Sequence, residues 1–240
     1  MSAPSGGSGA PDRELTWARR GYAFFARALD ALTDAELDAP SLLPGWSRRH
    51  VVAHVGYNAR ALGRLVEWAR TGVETPMYPS PQHRDAEIQT GATLPAHALR
   101  SLFAHTAAHL DAEWRDLPAA GWDAAVRTAQ GRTVPARETA WMRVRELWVH
   151  AVDLDGGADM RDFPSDLLTE LLDDVSRAWR RRGETVDLTL AVTGREPVVL
   201  GDGGPVVSGA LPDVVRWLIG RGARRLASDA GRLPPLPRWF

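Results

Sequence analysis

With 240 residues, 44% hydrophobic and 25% charged, the chain has an ordinary globular composition and is long enough for one large domain or two modest ones. A formal net charge of −1 offers no electrostatic footprint for nucleic acid or an anionic membrane. Cysteine is absent, which excludes disulfides, cysteine-based zinc sites and a cysteine nucleophile; any thiol chemistry needs a thiol from outside.

Residues 1–11 are rich in Ser, Gly, Pro and Ala and are expected to form a flexible tail. They lack the apolar core of a secretory signal. Arg19-Arg20 is followed by Arg27 and Asp30, which interrupt the apolar stretch of a twin-arginine signal. No run approaches the about 20 apolar residues of a membrane span, so a cytoplasmic protein is expected. All 29 residues of the Lys/Arg class are Arg, Asn occurs only at Asn58, and Ile only at Ile88 and Ile219. Lys, Asn and Ile have AT-rich codons, so the coding sequence is expected to be GC-rich, a bias common in actinobacteria.

The first helical pattern runs from Arg13 to Leu32, with Leu15, Ala18, Tyr22, Phe25 and Leu29 at helical spacing. Thr33 and Glu36 have the spacing of a capping box for a short helix. After a loop at 40–45, Ser47 caps a long helix from Arg48 to Arg70. The Pro-containing segment from Thr75 to His83 reads as a long connection, of the kind that is often functional. A third long helix spans Pro95 to Leu117 and a fourth Ala136 to Leu154, stopped by Asp155-Gly156-Gly157. Four long amphipathic helices predict a four-helix bundle over 12–157. Beyond it, a helix at 167–181, a strand at 186–192, short apolar runs near Val198 and Val206, and a last helix from Leu211 predict a smaller α/β domain over 158–240. The tail with Pro234, Pro235 and Pro237 is expected to be extended. The fold class is therefore mainly α.

Three pairs place metal-ligand residue types four apart, on one helix face: His50/His54, His105/His109 and Glu146/His150. Two such groups on one helix and a third on a facing helix can close around one ion. His105/His109 shares its helix with Leu99, Leu102, Phe103, Ala107 and Leu110, which already supply a core face, so this pair reads as incidental. His50 lies in the first turn of its helix, near the rim. His54 sits among Val51, Val52 and Val55, and Glu146 and His150 sit among Val144, Leu147, Val149 and Val152, so these three lean inward. Burying a carboxylate and two imidazoles is costly unless they are paired or metal-bound. Spacing alone leaves both open: a metal site, or a buried Glu–His ion pair without metal.

The stretch Leu43-Pro44-Gly45-Trp46-Ser47-Arg48-Arg49-His50-Val51-Val52-Ala53-His54-Val55 resembles the N-terminal motif of the mycothiol-dependent maleylpyruvate isomerase family, whose members are DinB-like metal-binding bundles. Arg145-Glu146-Leu147-Trp148-Val149-His150-Ala151-Val152-Asp153-Leu154 is similar to the family's second motif. Val206-Val207-Ser208-Gly209-Ala210-Leu211, followed by Trp217-Leu218-Ile219-Gly220-Arg221, is similar to its last segment.

The resemblance implies a metal held by His54, Glu146 and His150, expected to be zinc with a fourth position open. Two His and a carboxylate also suit Fe(II). It implies the cofactor mycothiol, a small thiol whose metal-bound thiolate adds to the double bond of maleylpyruvate and leaves after rotation, giving the trans product. Arg221 is the family's best match for a carboxylate-binding arginine, with Arg224 and Arg225 close by, and Arg84 is a weaker candidate for contacting cofactor. The expected partners are therefore a thiol and a small anionic electrophile, with no nucleic acid or membrane, and a monomer is the default. Two other readings remain: a mycothiol S-transferase acting on another electrophile, and a non-catalytic metal-binding bundle.

Overall fold

The amphipathic stretches form long helices in the computed structural model, which describes residues 9–239. Of the tail expected over 1–11, all but Gly9, Ala10 and Pro11 therefore lies outside the described residues. Two compact units are present, Met1–Gly157 and Ala158–Phe240.

In the first unit, α1 (Asp12–Asp30), α2 (Arg48–Thr71), α4 (Ala96–Asp116) and α5 (Glu138–Asp153) make the bundle, with α2 packed chiefly on α4 and α1 on α5. Each buries an apolar stripe; on α1, Phe24 stacks on Trp148 of α5 at 4.8 Å and Phe25 meets Phe103 of α4 at 4.7 Å. At Gly21 the helices come so close that a Cβ would lie 2.6 Å from Trp148 Nε1, which donates to the Trp17 carbonyl at 2.9 Å.

The expected long connection at 75–83 is shorter than the sequence suggests. Residues Pro81–Ala92 form a further helix, α3, capped by the Ser80 hydroxyl, which accepts from His83 N–H, with Pro81 in its first turn. Its apolar stripe is thin, only Ile88, Gly91 and Ala92 being buried, so periodicity did not reveal it. It lies against α2, where a Cβ on Gly91 would meet Tyr57 at 2.6 Å and Ala53 at 2.8 Å. The loop between α4 and α5 also contains a small hairpin, β1 (Ala125–Arg127) with β2 (Thr133–Pro135).

The end of α5 is tied to the start of α2. Leu42 N–H donates to the Asp153 carbonyl at 2.9 Å, and Arg48 donates to the carbonyls of Leu154 at 2.7 Å and Asp155 at 2.8 Å. These bonds satisfy carbonyls that a helix end leaves without intrahelical donors.

The second unit contains α6 (Ser165–Arg181), a four-stranded sheet and α7 (Leu211–Leu218). The strands β3 (Leu188–Val192), β4 (Val198–Leu200), β5 (Val206–Gly209) and β6 (Ala227–Ser228) lie in the order β4-β3-β5-β6. Only the β3–β5 pair is parallel. The final segment lacks regular structure and docks on α6, where Trp239 Nε1 donates to the Asp174 carboxylate at 3.1 Å and Trp179 Nε1 to the Arg238 carbonyl at 3.2 Å.

Candidate metal centre

His54 lies in the second turn of α2, and Glu146 and His150 one turn apart on α5, so the α2–α5 contact brings all three together. Among the described residues they form the one cluster of three or more His, Asp or Glu side chains able to hold a metal ion, one ligand atom from each lying within 4.8 Å of the others. Glu146 Oε2 is 2.7 Å from His54 Nε2 and 3.2 Å from His150 Nε2. The two imidazoles meet edge to face, with centroids 4.8 Å apart and planes at 89°. Only 5% of His54 is exposed, while 26% of the Glu146 side chain remains accessible.

His150 Nδ1 lies 2.8 Å from Oδ2 of Asp153, which is 0% exposed. A deprotonated Asp153 accepts the Nδ1 hydrogen and leaves Nε2 facing Glu146. This carboxylate–histidine pairing orients a ligating imidazole and raises its basicity. Asp153 escaped the sequence reading, although its place three residues after His150 puts it on the same face.

The electrostatics follow from this packing. Burial acts to raise the Glu146 carboxyl, but the charge of His54 and hydrogen bonds from His150 and His54 outweigh it and hold the group well below its usual range. For His150, burial works downward, yet the hydrogen bonds to Asp153 and Glu146 with their charges raise it to about 9. Burial dominates at His54 and lowers it, against the pull of Glu146.

The donor set fits a divalent ion. Tetrahedral bonds of about 2.0–2.1 Å place neighbouring donors about 3.4 Å apart, close to the separations across Glu146. Three protein ligands would leave a coordination position for water or substrate, the pattern of catalytic rather than structural sites.

The remaining histidines have other work. The His50 ring closes the first turn of α2: Nδ1 accepts from Ser47 N–H at 3.2 Å, and Nε2 is 3.2 Å from Gln89 Oε1 on α3. His105 and His109 are exposed, His105 Nδ1 lying 2.8 Å from the Ser101 carbonyl one turn back.

Around the triad, Trp46 stands edge-on to His54 at 5.5 Å. Arg84 of α3 reaches to 3.5 Å from His54 Nδ1 while donating to Asp85 at 3.0 Å. Tyr78, in the loop before α3, feels the Glu146 charge, and burial together with that charge pushes its phenol up to about 12. Neither Trp46 nor Tyr78 was singled out from the sequence. Arg221 follows α7 in the second unit, where its Nη1 donates to the Ile219 carbonyl at 3.0 Å; Arg224 lies 3.6 Å from Asp159.

A helical bundle that gathers two imidazoles and a carboxylate from facing helices defines a class of candidate metal-binding proteins. Residues 18–155 match the family described as the mycothiol maleylpyruvate isomerase N-terminal domain. A crystal structure of a mycothiol-dependent maleylpyruvate isomerase is 44% identical, with a TM-score of 0.90 over 95% of this chain and 96% of that one. A mutant of that isomerase with one histidine replaced by alanine superposes equally widely, at 44% identity and a TM-score of 0.89. No relative matches among curated proteins. This chain belongs to the mycothiol-dependent maleylpyruvate isomerase family.

Proposed function

We propose that this chain is a metal- and mycothiol-dependent cis–trans isomerase of the maleylpyruvate type. The observation that carries the reading is the His54–Glu146–His150 cluster in a chain alike over nearly its whole length to an isomerase of that name. His54, Glu146 and His150 would hold the ion, proposed to be zinc. When bound, a divalent ion supplies the charge that keeps a thiol in its nucleophilic thiolate form at neutral pH.

The chain's own groups prepare that site. Asp153 holds the His150 ring through Nδ1, so that Nε2 would be the atom offered to an ion. Trp46 stands beside His54, its ring edge-on at 5.5 Å. Arg84, with its side chain 33% exposed, faces the site from α3 and is proposed to contact the thiol cofactor. Arg221 is proposed to bind a carboxylate of the substrate through paired hydrogen bonds.

The reading includes a cytoplasmic monomer that engages neither membrane nor nucleic acid. Among the described residues, no helix is long and apolar enough to cross a membrane.

The test is to incubate metal-loaded protein with mycothiol and maleylpyruvate and follow the enol absorbance. Thiol-dependent conversion to the trans isomer is expected; no loss of the cis compound above background sinks the assignment. Arg221→Ala is expected to raise KM for maleylpyruvate, and an unchanged KM removes Arg221 from the site.

A further inference from the structure

The three side chains of the metal centre lie between two ties that join α2 to α5. Along α2 the contacts meet α5 in reverse order: Arg48 at the Leu154 carbonyl, His54 at Glu146, and Asn58 at Arg143. The first tie, at the end of α5, runs through Leu42 and Arg48. The second is made by Arg143, whose Nη1 donates to the Val55 carbonyl at 2.6 Å and to Asn58 Oδ1 at 3.1 Å. Val55 follows His54 directly on α2, and Arg143 precedes Glu146 by three residues on α5. This tie therefore sits within about one helical turn of the ligands on both helices.

The residue types at this second tie are costly to bury. Arg143 is 2% exposed and Asn58 4%. Burial lowers the guanidinium, against the opposing pull of the Glu146 charge, only to about 10, so the group stays a cation at neutral pH. Its Nη2 is sealed from water and has no hydrogen-bond partner among the described residues, which adds the cost of an unmade bond. A well-packed apolar pair would avoid both costs, so this pair contributes more to register than to stability. Apolar surfaces can slide past one another, whereas a guanidinium that donates to two acceptors on α2 holds a single register. Asn58, the only asparagine among the 240 residues, supplies the second acceptor.

We propose that Arg143, with Asn58 as its acceptor, is a positioning residue of the metal centre, fixing the α2–α5 register at which His54 faces Glu146 and His150. The proposal rests on the reading that these three hold an ion. Each residue of a helix advances about 1.5 Å along its axis, and metal–ligand distances hold to within about 0.2 Å. A slip of a fraction of one residue would therefore take His54 out of reach of an ion seated on Glu146 and His150.

The test loads the full-length protein with cobalt(II), whose visible absorption reports coordination geometry, and reads affinity by chelator competition. Asn58→Leu nearly keeps the volume and removes the acceptor, whereas Asn58→Asp keeps an acceptor for Arg143. Asn58→Leu is expected to weaken cobalt binding by about tenfold and to change the absorption band. Asn58→Asp is expected to bind at least as tightly as the wild type, with its band. Thr139→Val controls for plain destabilisation, since it removes a buried α5 hydroxyl that bonds Trp114 of α4 rather than α2. Its melting temperature should fall while affinity and band stay. Wild-type affinity and band in Asn58→Leu, or an equal loss in Asn58→Asp or Thr139→Val, overturns the proposal. Nitrogen resonances of the His54 and His150 rings in metal-free protein should also shift in Asn58→Leu and not in Thr139→Val. Wild-type protein that takes up no cobalt refutes the metal assignment; ring resonances unmoved in Asn58→Leu refute the tie, whether or not metal binds. Should Asn58→Leu not fold, Arg143→Lys, which lacks the planar fork, takes its place with the same expected losses, and their absence overturns the proposal.

Discussion

Asp153→Asn isolates the residue behind the metal centre. Asparagine keeps the shape and can still accept from His150 Nδ1, but it loses the charge that now sits 2.8 Å away in a fully buried position. Replacing the partner of a ligating histidine costs about 10–100-fold in metal affinity, or about 1.4–2.7 kcal/mol. At fixed free metal well above both dissociation constants, the stabilisation conferred by the ion falls by the same amount. For a chain of this size each kcal/mol moves Tm by about 2–4 °C. The difference in Tm between metal-loaded and metal-free protein should therefore shrink by about 3–11 °C. Competition with a chromogenic chelator gives the affinity directly, and paired thermal melts give the linkage. An affinity and a Tm difference equal to the wild type's would refute the claim that Asp153 acts through His150 on a bound ion.

Paired His54→Ala and His150→Ala changes should abolish metal retention by elemental analysis, whereas His105→Ala, exposed on α4, should leave it unchanged. Gly21→Ala should destabilise by about 1–3 kcal/mol, because its Cβ would sit 2.6 Å from Trp148 Nε1; denaturant melts read this, and an unchanged midpoint contradicts the close α1–α5 packing. Trp239→Phe removes the donor to the Asp174 carboxylate and should cost about 1–3 kcal/mol, with protease resistance at the C-terminal end as the check.

The clustering of His54, Glu146 and His150 was legible because the three obey helical arithmetic. Glu146 and His150 fall four apart, and the valines around His54 show that its face turns inward. The same rule explains what was missed. Helix α3 has too few apolar residues to show a period, although Ser80-Pro81 carried a readable start signal. The β1–β2 hairpin has strands of only three residues, too short for alternation to stand out. His50 bonds to Ser47 within the first turn of α2, but its contact with Gln89 depends on α3 and could not be foreseen. Trp46 and Tyr78 approach the triad through loops, whose paths no period encodes. Arg143 looked like one more arginine among 29, and only its burial beside Val55 and Asn58 sets it apart.

The bonds that tie the end of α5 to the start of α2 also set the spacing of the candidate metal centre. They run largely to main-chain carbonyls, so they hold the two ligand-bearing helices at a spacing that changes in side chains along the bundle do not easily alter. A span set in this way would resist adjusting to an ion of different size or coordination number. First-row metals differ in affinity for nitrogen and oxygen donors in a fixed order that takes no account of biological need. A clasped pair of helices would counter that order with shape, by fixing the distance between His54 on one helix and Glu146 and His150 on the other.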